Sequence, residues 1–283
     1  MNQEAPARGI GARDLLVEFL GAFVREEGDW FAVAPVVALL GEVGIDDSSV
    51  RMAVSRLKTR GWLEQSRREG ASGYSLTPTA LELLEQGDAF IYHSRTLTDL
   101  SAGWVIVAFS VPEHSRSKRH ALKSRLVSAG FGHAGPGLLI APAGMLGEAR
   151  RIVHELEVDE FVDLFTGRYE SDDLARLVAR GWDLADLGDR YRGFLAATDP
   201  LVPLWAEPEE RSERSGREAL RDLLSVLHEW RTVAYSDPGL PRDLLGEDWP
   251  GDTAQQRFTD LVSRVQPIAT RYVHARLRPA PEA

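Results

Sequence analysis

Residues 46–74, DDSSVRMAVSRLKTRGWLEQSRREGASGY, constrain the fold more than any other stretch of the chain. Asp47 or Ser48 can cap a helix there, because a short side-chain oxygen accepts a bond from an orphan backbone N–H. Val50, Val54 and Leu57 recur at i, i+4 and i+7 and make one apolar stripe. Arg51, Ser55 and Lys58 repeat that spacing on another face, which is left for solvent or a ligand. Gly61 ends the helix, since it tolerates the left-handed conformation. Trp62 and Leu63 then open a strand, and Gly70-Ala71-Ser72-Gly73 reads as a turn-like tip before the return at Tyr74-Ser75-Leu76. From Arg51 to Arg68 the basic residues are Arg51, Arg56, Lys58, Arg60, Arg67 and Arg68, opposed only by Glu64. A basic helix joined to a basic hairpin suits a helix in the DNA major groove with a wing on the phosphates.

The surrounding pattern completes a first domain over 10–93. Leu15, Leu16, Phe19, Leu20, Phe23 and Val24 give one helix its apolar face, and a second covers residues 35–42, with Pro35 in its first turn. After the wing, Thr77-Pro78 starts a helix that Leu81, Leu83 and Leu84 carry to Gly87. The order helix, helix, recognition helix, strand, strand, helix is a winged helix-turn-helix. A second domain, over 102–180, opens with the buried-strand run 104–109. A helix through Leu122 and Leu126 stops at Gly130. A short strand near Phe131, a strand at Leu138-Leu139-Ile140, a helix over 145–156 and a strand over 161–165 follow. That is βαββαβ, the ferredoxin-like order. The third domain, 183–278, is mostly helical. Its first stripe is Leu184, Leu187, Tyr191, Phe194 and Leu195. A charged stretch at 207–218 reads as a linker, and helices through Leu220–Trp230 and Phe258–Ile268 flank a loop rich in proline and glycine. The fold class expected is therefore α+β.

Composition limits the function classes. The chain has no cysteine, which removes disulfides, thiolate catalysis and Cys-type zinc sites. No apolar run reaches the length of a membrane span, and the N-terminal residues lack the apolar core of a secretory signal. A cytoplasmic location without membrane partners is expected. The net charge of −10, taken as a sum, argues against nucleic acid. Its distribution matters more, because exposed charges are screened over about 8–10 Å. Basic residues concentrate in 51–68 and 116–125, and acidic ones come later, as at Glu155, Glu157, Asp159, Glu160 and Asp163, then Glu207, Glu209 and Glu210. An acidic body around a basic module disfavours non-specific DNA.

Three places in the chain together resemble the PaaX family, bacterial repressors of phenylacetate degradation. The first is Val50-Arg51-Met52-Ala53-Val54-Ser55-Arg56-Leu57 with Gly61-Trp62-Leu63 and Tyr74-Ser75-Leu76-Thr77. The second is WVIVAFSVP at 104–112, then a basic helix and Gly130-Phe131-Gly132. The third is His228-Glu229-Trp230-Arg231 with Asp237-Pro238, Leu240-Pro241 and Asp248-Trp249-Pro250-Gly251. The resemblance implies a homodimeric regulator that leaves operator DNA when it binds an aryl-acyl-CoA thioester such as phenylacetyl-CoA, with the central domain the dimerisation element. Trp230 departs from the tyrosine often found there. The central domain also looks like the ferredoxin-like fold of CRISPR-associated small nucleases. Those carry an aspartate where this chain has Ser110, and serine cannot hold a divalent metal as a carboxylate does.

For DNA, the candidates are Ser49, Arg51, Ser55, Arg56, Lys58, Arg60, Arg67 and Arg68. Arg51 is the best placed to read a base edge. Lys58, Arg60, Arg67 and Arg68 suit phosphates, and Arg56 suits either DNA or a structural ion pair. For the effector, the candidates are Arg116, Arg119 and Lys123 in the second basic cluster, with His228, Glu229, Arg231 and Trp249. The bland reading of the basic cluster is a solvated helix face. No GxSxG, Walker or GxGxxG motif occurs, and adjacent His228 and Glu229 point about 100° apart on a helix. Neither a catalytic residue, a metal site nor a cofactor is expected. The alternative function class is a ferredoxin-like, metal-dependent nuclease with an accessory winged helix.

Overall fold

The computed structural model describes residues 11–68, 70–93, 102–170, 173–206 and 215–277. Glu207, Glu209 and Glu210 lie outside them. The chain divides into two compact units. One gathers the described residues of Met1–Ala89, Phe194–Arg231 and Thr253–Ala283, the other those of Phe90–Gly193 and Thr232–Asp252.

In the first unit, helix α1 (Ala12–Phe19) buries Leu15, Leu16 and Phe19 and continues through a π-turn (Leu20–Val24). Strand β1 (Trp30–Phe31) precedes α2 (Val33–Glu42), which starts before Pro35 and keeps that residue in its first turn, where a missing N–H is no loss. Then come α3 (Asp47–Thr59), β2 (Leu63–Arg68), β3 (Ala71–Leu76) and α4 (Pro78–His93), with sheet order β1-β3-β2.

Two expectations need correction here. The wing tip is shorter than residues 70–73: Arg67 pairs with Ser72 and Ser66 with Gly73, so only Gly70, at φ +83°, is a turn glycine. Gly73 is a strand residue whose missing side chain lets the backbone of Phe31 and the ring of Trp30 approach, since a Cβ there would collide with both. Helix α4 also runs past Gly87. A mid-helix glycine costs about 1 kcal/mol, and tertiary contacts offset it; Arg25 and Asp88 form an ion pair at 2.5 Å just beyond it.

The C-terminal segments of this unit include the end of α8 (Leu184–Thr198), α9 (Leu201–Leu204), most of α10 (Gly216–Ala234) and nearly all of α11 (Gly251–Leu277). Their core is aromatic: Trp230 meets Phe194 edge-on at 5.1 Å and stacks on Phe258 at 4.7 Å. Trp205 donates its indole N–H to buried Asp222 at 2.9 Å. The linker expected over 207–218 gives way to helix at its end. Ser215 and Glu218 form a capping box, with Glu218 N–H donating to Ser215 Oγ at 3.2 Å and Ser215 N–H to Glu218 Oε2 at 2.8 Å.

The second unit holds β4 (Trp104–Phe109), α5 (Arg116–Ser128), β5 (Gly132–Gly135), β6 (Leu138–Pro142), α6 (Leu146–Glu155) and β7 (Val162–Gly167). The antiparallel sheet runs β5-β6-β4-β7, which is the ferredoxin-like arrangement. Val105, Val107, Leu139 and Ala141 point to one face and pack with Leu122 and Leu126 of α5 and Ile152 and Val153 of α6. Their alternates, including Trp104, Ile106, Ile140 and Phe165, lie on the opposite face. Trp182, which follows α7 (Leu174–Gly181), covers one end of that face, 6.1 Å from Trp104, and donates to Gly130 O at 2.7 Å. Asp173 caps α7, accepting from Arg176 N–H at 2.8 Å.

Candidate nucleic-acid interface

Helix α3 is capped earlier than at either residue read from the sequence. Asp46, not Asp47 or Ser48, is the N-cap, accepting from Ser49 N–H at 2.9 Å and from Ser48 Oγ at 2.6 Å. These bonds hold the Asp46 carboxyl down at about 2, against an ordinary aspartate value near 4. Val50, Ala53, Val54 and Leu57 are buried and fix the rotation of the helix. That rotation leaves Arg51, Ser55, Arg56, Lys58 and Arg60 exposed and Ser49 half-buried. Gly61, at φ +76°, closes the helix.

The basic side chains differ in what holds them. The side chains of Arg51 and Arg60 make no hydrogen bond or ion pair among the described residues. Arg56 forms no ion pair among the described residues either; its guanidinium donates to Met52 Sδ at 3.2 Å. Met52 is itself 49% exposed on the free face of α3. The sequence reading passed over Met52; its position between Arg51 and Ser55, off the apolar stripe, was the available signal. On the wing, Arg67 Nε donates to Ser72 Oγ at 3.3 Å, and Ser66 and Ser75 hydroxyls bond across the strands at 2.8 Å. Lys58 lies 5.9 Å from the ring of Tyr74, so helix and wing meet at a cation–π contact. Arg68 leans back towards Gly28 O at 3.5 Å. One cationic surface results, made of a helix face and an adjoining hairpin.

The effector candidates fall in both units. Arg116, Arg119 and Lys123 line a hollow of 280 Å³ in the ferredoxin-like unit, together with His120, His133, Phe109 and the Gly135–Leu138 turn. His133 was missed because it stands alone in a glycine-rich run, and only the β5–β6 hairpin returns it to α5. Trp249, in the same unit, is a packed residue, edge-on to Tyr191 at 5.7 Å. Tyr191 donates its hydroxyl to buried Asp237. His228 and Arg231 belong to the other unit, where both approach Glu18 of α1, at 3.1 Å and 3.8 Å. Glu18 is buried, whereas Glu229, next to His228 in the chain, is half-buried.

Ser110 follows β4, its N–H donating to Phe161 O at 2.9 Å. Among the described residues no group of three or more His, Cys, Asp or Glu is placed to hold a metal, and no helix is long and apolar enough to cross a membrane.

Three family models match successive parts of the chain: PaaX-like protein over 11–80, PaaX protein central Cas2-like domain over 98–178, and PaaX-like protein C-terminal domain over 182–275. The chain is 28% identical over 269 residues to the transcriptional repressor PaaX of Escherichia coli (strain K12), covering 93% of this chain and 83% of that one. A solved structure, that of Rv0674 from Mycobacterium tuberculosis, matches with a TM-score of 0.58 and 18% identity over 93% of this chain and 98% of that one. At that identity the likeness is one of fold alone.

Proposed function

Because the chain belongs to the PaaX family, we propose that it is a transcriptional repressor that grips operator DNA as a homodimer in the cytoplasm and leaves it on binding an aryl-acyl-CoA, phenylacetyl-CoA being the expected type. The observation that carries this reading is the free cationic face of α3 beside a basic two-stranded wing. In it, the winged-helix segment 10–93 binds DNA, 102–180 dimerises, and 183–278 contributes to effector binding. Arg51 reads a base edge, Ser49 and Ser55 contact bases or phosphates, and Arg56, Lys58, Arg60, Arg67 and Arg68 hold the backbone.

The mechanism is geometric. A two-fold pair reads a palindrome only when its recognition helices sit about 34–36 Å apart, or a multiple of that. An effector need only favour a dimer with another spacing; moving a population from 99:1 to 1:99 takes about 5.5 kcal/mol of differential affinity. Arg116, Arg119, Lys123, His228, Glu229, Arg231 and Trp249 are the effector candidates. Catalysis is no part of this reading, since Ser110 stands where the nucleases carry a metal-binding aspartate.

The test is a gel-shift titration on the DNA upstream of the protein's own gene, with a panel of acyl-CoA compounds. Retarded DNA released by an aryl-acyl-CoA supports the reading. Cleavage of that DNA with magnesium or manganese, or no binding to it at all, overturns it.

A further inference from the structure

Helix α5 carries two kinds of cation. Lys118 donates to Glu157 O at 3.0 Å, and Arg125 pairs with Glu155, so these two are used to tie α5 to α6 and the turn after it. Arg116, Arg119, His120 and Lys123 follow the i, i+3, i+4, i+7 rule instead and form one stripe on the other side. That stripe faces a concavity, with His133, Phe109 and the Gly135-Pro136-Gly137 turn as the opposite wall. One carboxylate enters the cluster, Glu113, which accepts from Arg119 at 2.9 Å and lies 3.9 Å from Arg116. Three permanent cations against one anion leave an excess positive charge in a hollow, before either histidine is counted.

We propose that this hollow is a phosphate-binding site that takes the anionic end of a nucleotide-like small molecule. The inference deepens the effector reading, on which the choice of ligand rests, by assigning the phosphates to this site. At 280 Å³ the hollow falls just below the range for small-molecule pockets, about 300–1,000 Å³. It has room for phosphoryl groups and part of a ribose, not for a whole acyl-CoA. Guanidinium forks suit phosphate oxygens bidentately, and the lysine adds a point charge. Phe109 and Pro136 offer an apolar edge to a sugar or base. The acyl arm therefore lies outside the hollow.

The test is calorimetric titration of the full chain with pyrophosphate, adenosine 3′,5′-bisphosphate, coenzyme A and pantetheine, the last lacking phosphate. The three phosphorylated probes should bind and pantetheine should not. Arg116→Ala with Lys123→Ala, both on exposed side chains, should weaken coenzyme A by about 10-fold or more, as expected for lost charge-assisted hydrogen bonds. Arg116→Lys with Lys123→Arg should retain most of the affinity. Equal coenzyme A binding by wild type and the double alanine variant overturns the proposal, as does the failure of every phosphorylated probe. Operator gel shifts are run on the same proteins. Intact operator binding with no phosphate binding sinks this site and leaves the repressor reading standing; the reverse sinks the repressor reading alone. A salt slope for operator binding that falls by about two in the double alanine variant would reassign the stripe to the DNA backbone.

Discussion

Glu18 Oε1 lies 3.1 Å from His228 Nδ1, joining residues 210 positions apart in the chain. The Glu18 side chain is 3% exposed, and its Oε2 has no hydrogen-bond partner among the described residues. Burial therefore holds this carboxyl above the usual glutamate value, outweighing the lowering effect of His228 and Arg231. The bond to Glu18 raises His228 above the usual histidine value, against the desolvation of its ring. A pKa raised by folding contributes stability that is complete below the unfolded value and lost as pH rises through the folded one. Both shifts have that sign. The melting temperature should fall as pH rises through and above the ordinary histidine value, about 6.5. The fall should be shallower in His228→Gln, and equal slopes in the two proteins would remove the pair as its cause. His228→Ala, which leaves the buried carboxylate less satisfied, should destabilise by about 1–3 kcal/mol in a denaturant titration.

Asp46 makes the start of α3 sensitive to acid in the opposite sense. Its pKa is lowered to about 2 by the bonds from Ser48 and Ser49, so its contribution is present above the ordinary aspartate value and is lost as pH falls through about 4 to about 2. Asp46→Ala should lower the unfolding midpoint at neutral pH, and the gap from wild type should close in acid. Asp47→Ala, which removes no cap, should have the smaller effect. A larger loss from Asp47→Ala would contradict the cap assignment.

Arg51 and Arg67 should fail differently on DNA. Arg51 stands on the free face of α3 with no partner among the described residues, so its fork is available to a guanine edge. Arg51→Ala should cost about 1–3 kcal/mol on the operator and little on random DNA. Arg67 is aimed from the wing by Ser72. Arg67→Ala should weaken both DNAs alike and reduce the log–log salt slope by about one. Competition gel shifts over a salt series separate the two, and equal losses on operator and random DNA for Arg51→Ala would refute base reading.

How far the sequence carried each feature depends on how local its cause is. The βαββαβ order was legible because β4 and β6 are short apolar runs ended by glycine or proline and α5 is closed at Gly130, whereas β5, Gly132–Gly135, has no apolar run of its own. The rotation of α3 was legible because Val50, Val54 and Leu57 can be buried together only one way. Its cap was less so, because Asp46, Asp47, Ser48 and Ser49 are all capping types and backbone geometry chose among them. Gly73 looked like a turn residue, although its reason lies in the approach of Phe31 and Trp30 from β1. The second basic cluster was visible as charge. Its division into cations tied to the α6 side and cations facing a hollow depends on where α6 and the β5–β6 hairpin come to rest. Glu18 was invisible as anything special, because a single glutamate in an amphipathic helix gains meaning only when His228 is brought beside it.

Phe165 offers a test of the two-fold pair. It is 55% exposed on β7, paired with Ile106 of β4, on the sheet face that α5 and α6 leave uncovered. An exposed phenylalanine beside an apolar strand residue is costly to leave in water, and burying one stabilises by about 1.5–3 kcal/mol. If this face joins two copies, each contributes such a ring, and Phe165→Glu places two like charges in the interface. With the proposed dimer built on this face, the variant should sediment as a monomer where the wild type self-associates, with its circular dichroism and thermal midpoint little changed, because the side chain packs outside the core. Its operator affinity should drop towards that of a single half-site. A dimer that survives Phe165→Glu with unchanged dissociation constant would move the two-fold axis to another surface.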